Sequence, residues 1–287
     1  MIRRCQPLLG TFVEIRLDGA NEASLQSTAD KAFRLVRTVH RMMSAHDRDS
    51  DVSRLNRCGH LSALRVHPWT WHVIDEAVRL SRESEGAFDI TAAPHLVNWG
   101  YLPDPGQCAV PPASGLWRQI EMLPDLRIRF HRPLWIDLGG IAKGFAVDKA
   151  MDFIESRSVP RATVNAGGDL RVRGDPAPTL SLRDPRDPSR LIEDVPMPTP
   201  AAATSATYFS RKQIRSRVVS PLVHAASGRP LTRRSSVTVF APTCLQADAL
   251  TKVVLLAPRE VGARVLASRR SQALIVSPSG RYLHLPE

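Results

Sequence analysis

Residues Asp137–Asp148, DLGGIAKGFAVD, carry a strand-to-helix transition around a Gly-Gly turn. The apolar segment Leu134–Ile136 predicts a strand before the turn, and the pattern after Lys143 predicts a helix over Phe145–Arg157. Glycine lets the backbone approach a ligand closely, and a helix N-terminus offers unpaired N–H donors to a phosphate. A second glycine turn, Asn165–Asp169, follows one strand later. Two turns that each carry an acidic residue favour a phosphorylated ligand with a cation nearby, although a tight turn without any ligand also explains a lone Gly-Gly pair.

The segments on either side of this stretch predict the fold class. Thr11–Leu17 alternates apolar and polar residues as a half-buried strand does, and Leu25–Met43 has helical periodicity. Strands and helices then follow without strict β-α-β alternation, which predicts an α+β fold with mixed antiparallel sheets and packed helices. We expect a single domain over residues 1–287, with a proline-rich surface connection at about 184–203.

Composition narrows the function classes. The chain has 287 residues, of which 43% are hydrophobic and 23% charged, as in ordinary soluble globular proteins. No run approaches the roughly 18–20 apolar residues that a membrane helix needs, and Met1–Pro7 lacks the apolar part of a secretory signal. We therefore expect no membrane span and a cytoplasmic location.

The basic residues and the cysteines make a nucleic-acid-binding protein and a zinc protein unfavourable interpretations. A net charge of +11 raises nucleic acid as a partner. However, the arginines are scattered and form no recognisable reading helix, so the charge favours an anionic ligand instead. The four cysteines, Cys108 among them, form no C-x-x-C pair, which argues against a zinc site.

Read in order, nine segments of the chain resemble the FAD:protein FMN transferase family, the ApbE-like flavin transferases. The resemblance is collinear and covers nearly the whole sequence. The matching segments are Leu9–Glu14, Asp51–Asn56, Gly86–Pro94, Asn98–Gly100, Asp137–Asp148, Asn165–Asp169, Ala203–Ser205, Ser227–Pro230 and Ser236–Leu250.

The resemblance implies an ApbE-like architecture and a reaction. Members of the family bind FAD and, with Mg²⁺, transfer its FMN half to a Thr or Ser hydroxyl of an acceptor protein, releasing AMP. Phosphoryl-type chemistry of this kind needs a cation near the phosphate oxygens, an aligned hydroxyl and help in removing its proton. Members are often exported, although no signal or lipobox is present in this sequence.

The resemblance also assigns residues. It implies that Ala87, Phe88 and Asp89 contact FAD, together with Asp137 and Lys143. For the metal it implies the Gly140 carbonyl and the Asp248 carboxylate, an oxygen ligand of the type that Mg²⁺ prefers.

Plainer roles remain open for three of these residues. Asp89 is also suited to capping a turn, and Lys143 to a solvated surface position. Asp248 is also suited to the N-terminal part of a helix, where a negative charge is favourable.

Two departures from the family pattern fall in the chemistry. A threonine that completes the metal site is expected four residues after Asp248, but Lys252 stands there and Thr251 precedes it. Both positions share the helix face of Asp248, so Thr251 is a candidate third metal ligand. A protonated lysine cannot ligate a metal. Lys252 would then either compete for the carboxylate, stand in for the cation or point outward.

The second departure concerns the base that would deprotonate the acceptor hydroxyl. The family usually has a histidine at the position of Pro221, and proline cannot act as a base. His224, three residues later, is the candidate catalytic base, although a lone histidine is often structural. Two functions therefore stay open: an active FMN transferase, or an FAD-binding member with lost or altered activity, such as a flavin carrier, a regulator or an FAD pyrophosphate hydrolase.

Overall fold

The computed structural model describes residues 1–106, 111, 115–174, 179–208 and 210–286, so Cys108 lies outside the described residues. These residues form seven α-helices: α1 (Glu22–Met43), α2 (Asp51–Cys58), α3 (Pro68–Glu83), α4 (Ala93–Asn98), α5 (Ala142–Glu155), α6 (Cys244–Leu256) and α7 (Arg259–Ser268). None of these helices, within the ranges just given, is long and apolar enough to cross a membrane.

The strands in the same residues are short and mostly antiparallel neighbours. They are β1 (Ile2–Leu8), β2 (Thr11–Asp18), β3 (Leu64–Arg65), β4 (Ile120–Leu123), β5 (Arg127–Phe130), β6 (Arg161–Ala166), β7 (Asp169–Arg173), β8 (Thr179–Arg183), β9 (Leu191–Pro196), β10 (Ala201–Ala206), β11 (Lys212–Ile214), β12 (Arg217–Val219), β13 (Val223–His224), β14 (Arg229–Pro230), β15 (Ser236–Ala241), β16 (Gln272–Val276) and β17 (Tyr282–Leu285).

An eight-stranded antiparallel sheet organises the molecule, in the order β1-β2-β6-β7-β10-β15-β16-β17. Helices α1, α5 and α6 pack together and against this sheet. The α+β prediction is therefore confirmed. All six residues of β15 are buried, because this strand lies between two neighbours and is covered on both faces.

Side chains on the two faces of the sheet enter different apolar clusters, as the period-two geometry of strands requires. Ala203 and Val239 belong to the large cluster beneath the helices. Ala202 and Phe240, their chain neighbours, belong to a smaller cluster on the other face. The β8–β9 hairpin supplies Leu182 to that cluster and so covers the second face.

The expected surface connection at 184–203 is partly wrong, because it contains β9 and the start of β10. Leu180 and Leu182 on β8, with Val195 on β9, alternate so that they pack on the second face of the sheet. Pro185 and Pro188 lie in the turn between the two strands. Proline is tolerated in a two-stranded hairpin of this kind, where few ladder hydrogen bonds are lost.

The strand expected at Leu134–Ile136 does not form. The side chain of Asn56 takes the place of a partner strand. Its Nδ2 donates to the Ile136 carbonyl at 3.0 Å, and the Ile136 N–H donates to Asn56 Oδ1 at 2.7 Å. A buried asparagine amide thus satisfies the backbone of a buried extended segment, a contact that periodicity cannot predict.

Helices α5 and α6 each supply a buried carboxylate that accepts hydrogen bonds from backbone N–H groups in the first turn of the other helix. Asp148 of α5 accepts hydrogen bonds from the N–H groups of Cys244 (2.9 Å) and Leu245 (2.8 Å), which begin α6. Asp248 of α6 accepts one from the N–H of Gly144, in the first turn of α5, at 3.1 Å. Each buried charge therefore satisfies donors that a helix N-terminus leaves unpaired.

These reciprocal hydrogen bonds require a glycine at position 144. A Cβ there would overlap the Cys244 carbonyl oxygen and lie 2.8 Å from Leu245 Cα, both of which are backbone atoms. We expect Gly144→Ala to lower the free energy of unfolding by about 1–3 kcal/mol, since overpacking would push α5 and α6 apart. Urea unfolding followed by circular dichroism measures this.

Gly262 in α7 is the matched control. A Cβ there would have Val254 Cα as its nearest neighbour, at 3.8 Å. Gly262→Ala should therefore be neutral or stabilise by about 0.5–1 kcal/mol, because alanine is the better helix former. Equal effects at the two positions would contradict the close approach of α5 and α6.

Candidate flavin site

A cavity of about 920 Å³ opens beside the glycine turns, within the range of about 300–1,000 Å³ usual for small-molecule sites. Six of the nine predicted site residues line it, and they come from the two segments that the resemblance assigns to FAD. They are Ala87, Phe88, Asp89, Asp137, Gly140 and Lys143. The assignment of five of them to FAD, and of the Gly140 carbonyl to a metal, stays a prediction.

Asp89 holds the first wall of the cavity in shape. Its Oδ1 accepts hydrogen bonds from the Thr91 N–H at 2.8 Å and the Thr91 hydroxyl at 2.7 Å, which caps the 3₁₀ turn Ile90–Ala92. Burial raises the pKa of Asp89, although the Thr91 contacts oppose the shift. The capping role considered for Asp89 therefore exists together with its place on the cavity wall.

The second wall is tied to the first through the backbone. The Asp137 N–H donates to the Ile90 carbonyl at 2.9 Å. A Cβ at Gly139 would lie 2.9 Å from Asp137 Oδ2, so glycine lets the carboxylate fold back over the turn. Burial raises the pKa of Asp137, and the N–H of Gly139 and the charge of Lys143 oppose this.

Lys143 bridges two buried carboxylates and is not a solvated surface lysine. Its Nζ forms an ion pair with Asp169 Oδ2 at 2.8 Å and a longer one with Asp248 Oδ2 at 3.3 Å. Burial alone would lower the pKa of Lys143, but the charges of Asp169 and Asp248 outweigh it and raise the pKa above its ordinary value.

Asp169, the acidic residue of the second glycine turn, is a site residue that the family resemblance does not assign. It is 2% exposed and lines the cavity beside Lys143. Burial and the nearby charge of Asp248 raise the pKa of Asp169 to about 6, against the opposing charge of Lys143. The signal for it was present, since a carboxylate directly follows Gly167 and Gly168 at the start of β7.

Asp248 lies behind the cavity wall and is fully buried. Its Oδ2 accepts from the Gly144 N–H and contacts Lys143, and its Oδ1 contacts Lys143 at 3.4 Å and the Lys252 ammonium. Burial alone would raise the pKa of Asp248, but Lys143 and Lys252 lower it. A carboxylate offers about four acceptor positions, and here four contacts occupy them.

Thr251 does not turn its hydroxyl toward the Asp248 carboxylate. The hydroxyl donates to the backbone carbonyl of Asp248 at 2.7 Å and lies 2.7 Å from the Ser205 hydroxyl. Ser205 lines the cavity and Thr251 is fully buried beneath it. Thr251 is therefore linked to the site through Ser205.

The residues present do not fit a resident divalent cation at Asp248. The carboxylate is surrounded by two ammonium groups, and Lys252 Cε lies 3.6 Å from the Cβ position of Gly140. No cluster of three or more His, Cys, Asp or Glu side chains that could hold a metal occurs in the described part of the chain. A cation at this point would have to displace Lys252.

Of the second departure from the family pattern and the predicted base, only the departure, Pro221, lines the cavity, and His224 does not. Pro221 lines the cavity together with Leu222 and Val223. His224 follows on β13, and its Nδ1 lies 3.1 Å from the Ser227 hydroxyl in the turn to β14. The catalytic role of His224 stays a prediction.

Comparison with known proteins identifies the family. The ApbE family model matches residues 9–275. An FAD:protein FMN transferase of Vibrio cholerae is 30% identical over 94% of this chain and 85% of its own length. The chain belongs to the ApbE family. A second member, the FAD:protein FMN transferase of Escherichia coli K12, is 24% identical over 88% of this chain and 77% of its own length.

Solved ApbE structures share the architecture. The flavin transferase ApbE from Vibrio cholerae superposes with a TM-score of 0.82 at 26% identity, covering 99% of this chain and 96% of its own. The ApbE protein from Thermotoga maritima gives a TM-score of 0.85 at 23% identity, covering 99% and 97%. The expected ApbE-like architecture is thereby confirmed.

The raised pKa of Asp169 predicts a change in stability with pH. Between the ordinary carboxyl pKa of 3.8 and about 6, the folded protein holds a proton that the unfolded chain releases, so stability falls as pH rises through this window. Asp169→Asn keeps the shape and removes the titration. As the pH rises from about 4 to about 6, the free energy of unfolding of the variant should increase relative to that of the wild type. Urea unfolding at each pH measures this difference.

Asp30 provides the control for this experiment, since it is a half-exposed carboxylate that pairs with Arg4 far from the cavity. Asp30→Asn should leave the pH profile close to that of the wild type. A stability difference between Asp169→Asn and the wild type that stays constant across the window would contradict the buried, charge-coupled state of Asp169.

Proposed function

We propose that this ApbE-family chain is an FAD:protein FMN transferase, which moves FMN from FAD to a Thr or Ser hydroxyl of an acceptor protein and releases AMP. One observation carries the proposal: a single cavity collects both segments assigned to FAD and has Lys143 and Lys252 on its wall. The names of the relatives that match over most of the chain support the same reaction.

The chemistry defines what the site has to do. The acceptor oxygen forms a bond to the phosphorus of the FMN half, and the bond between that phosphorus and the oxygen bridging to AMP breaks. AMP leaves with the electron pair of the broken bond, and a base takes the hydroxyl proton. Ammonium donors on the wall of a cavity stabilise negative charge that develops on phosphate oxygens, because they are already in place before the reaction. Lys143 and Lys252 are suited to this role.

Magnesium dependence, which the resemblance implies, is not built into this proposal. The contacts of Asp248 do not fit a divalent ion, so no step of the reaction is assigned to one. Lys143 and Lys252 supply the positive charge at this wall instead.

The end of the cavity near Pro221 favours a second candidate, an FAD-binding member with lost or altered transferase activity. Pro221 lines the cavity at the position where the family has a histidine. The nearby His224 lies within hydrogen-bond distance of the Ser227 hydroxyl. Such a protein would bind FAD through the same wall without modifying an acceptor. An FAD pyrophosphate hydrolase would release FMN and AMP with water as the acceptor.

A transfer assay tests the proposal. The full chain is incubated with FAD and an acceptor domain that carries a flavinylation-type threonine, and covalent FMN is sought by intact-protein mass spectrometry. We expect an FMN adduct on the acceptor and AMP in the supernatant. Ala206→Trp places a large side chain in the cavity from the end of β10. It should lower the rate about tenfold or more, which corresponds to a loss of about 1.4 kcal/mol of binding free energy.

Ala267→Trp is the matched control, because Ala267 is exposed on α7 and does not line the cavity. Its rate should stay within about twofold of the wild type. FAD binding without any adduct would favour the second candidate, and free FMN and AMP without an adduct would favour the hydrolase. An unchanged rate in Ala206→Trp would place the reaction elsewhere.

A further inference from the structure

We propose that Lys252 supplies the cation beside Asp248, so that this protein binds the pyrophosphate of FAD without a divalent metal. The inference rests on the proposed function and deepens it, since it concerns the charge at the same cavity wall. It also goes against the usual requirement of the family, and it is argued from residues of this chain alone.

The Lys252 ammonium group lies against Asp248. Lys252 follows Asp248 by one helical turn on α6, and its Nζ donates to the Asp248 backbone carbonyl at 2.8 Å and to Asp248 Oδ1. Its side chain is only 13% exposed. Of the alternatives that the sequence left open, an outward-pointing lysine is therefore excluded.

The aliphatic part of the Lys252 side chain passes close to Gly140. Lys252 Cε and Cδ lie 3.6 and 3.9 Å from the Cβ position of Gly140, which is open because Gly140 has no side chain. Phe88 Cε2 lies 3.6 Å from the same point. The lysine stem thus fills the space between Gly140 and Asp248, the two residues that the family resemblance assigns to a metal.

The charge of Asp248 is compensated without a metal. Within the described residues, the Asp248 carboxylate contacts two ammonium groups, Lys143 and Lys252, and Lys143 also pairs with Asp169. A divalent ion added at Asp248 would stand beside both ammonium groups, and repulsion between like charges in a buried site is costly. The lysine therefore meets the electrostatic need of Asp248.

Lys252 also retains a donor for a ligand. An ammonium group has three N–H donors. Two of those of Lys252 are used on Asp248, and the residue lines the cavity. The third is suited to a phosphate oxygen, as a point charge of the kind that lysine presents in phosphate sites.

Two titrations test this inference on the chain of residues 1–287. In the first, FAD affinity is measured by flavin fluorescence in excess Mg²⁺ and in EDTA. We expect the wild-type Kd to differ by less than about twofold between the two conditions. Lys252→Met keeps the apolar stem but removes the charge, and it should weaken FAD binding about tenfold or more in both conditions, because a charged hydrogen bond is lost.

Lys252→Thr restores an oxygen ligand on the face of Asp248 and removes the competing charge. Its FAD affinity should become metal-dependent, with binding about tenfold or more tighter in Mg²⁺ than in EDTA. Lys149→Thr is the matched control, since Lys149 lies on α5 and pairs with Asp152 away from the cavity. It should behave as the wild type.

The second titration uses Mn²⁺ alone, followed by electron paramagnetic resonance, and needs no FAD. The wild type should leave Mn²⁺ free, and Lys252→Thr should bind it. Because this arm reports on Asp248 without a flavin, it separates the two proposals. Absence of FAD binding would overturn the proposed function, whereas the Mn²⁺ result would still decide whether Lys252 excludes a metal.

Three outcomes would overturn the inference. They are an approximately tenfold or larger loss of wild-type FAD affinity in EDTA, Mn²⁺ binding by the wild type that Asp248→Asn abolishes, and wild-type FAD affinity in Lys252→Met. The first two need no variant of Lys252, so a folding defect in either lysine variant leaves the inference testable.

Discussion

The site depends on the reciprocal hydrogen bonds between α5 and α6, in which a buried carboxylate of each helix accepts from N-terminal N–H groups of the other. Asp148 closes the N-terminus of α6, and Asp248 binds the N–H of Gly144 at the N-terminal turn of α5. Lys143, next to Gly144, then pairs with Asp169 and with Asp248. Asp248 therefore takes part both in the packing of the two helices and in the charged wall of the cavity. A change that separates the two helices would also rearrange the lysines that line the cavity.

This arrangement explains why buried charges occur in a well-packed core. A buried carboxylate is unfavourable unless ion pairs and hydrogen bonds compensate for the lost water. Asp248 has four such contacts, of which Lys143 makes two, Lys252 one and the Gly144 N–H one. Among the described residues Asp169 forms one ion pair, with Lys143, and burial together with the charge of Asp248 raises the pKa of Asp169. Ligand phosphates that approach this wall would meet Lys143 and Lys252, which are already oriented by their carboxylate partners.

Sequence patterns predicted the α+β fold and the glycine turns, because strand and helix periodicity and Gly-Gly turns are local properties. The roles of the residues around these turns were predicted from the family resemblance. Sequence patterns missed contacts that depend on distant segments. Asn56 satisfies the backbone of Ile136 across 80 positions, which turns an expected strand into an extended segment. The proline-rich segment forms β9 because apolar residues on alternate positions find the second face of the sheet. For Lys252, the sequence could give only the shared helix face, and the packing against Gly140 decides its direction.

We infer that an ammonium group, and not a divalent metal, neutralises Asp248 at the candidate flavin site. A crystal structure of the wild-type protein soaked with FAD and Mn²⁺, with anomalous data collected at the manganese edge, tests it most directly. We expect no anomalous peak between Gly140 and Asp248, with Lys252 Nζ in contact with both Asp248 and a phosphate oxygen. An anomalous peak coordinated by Asp248, with Lys252 displaced from the carboxylate, would contradict it.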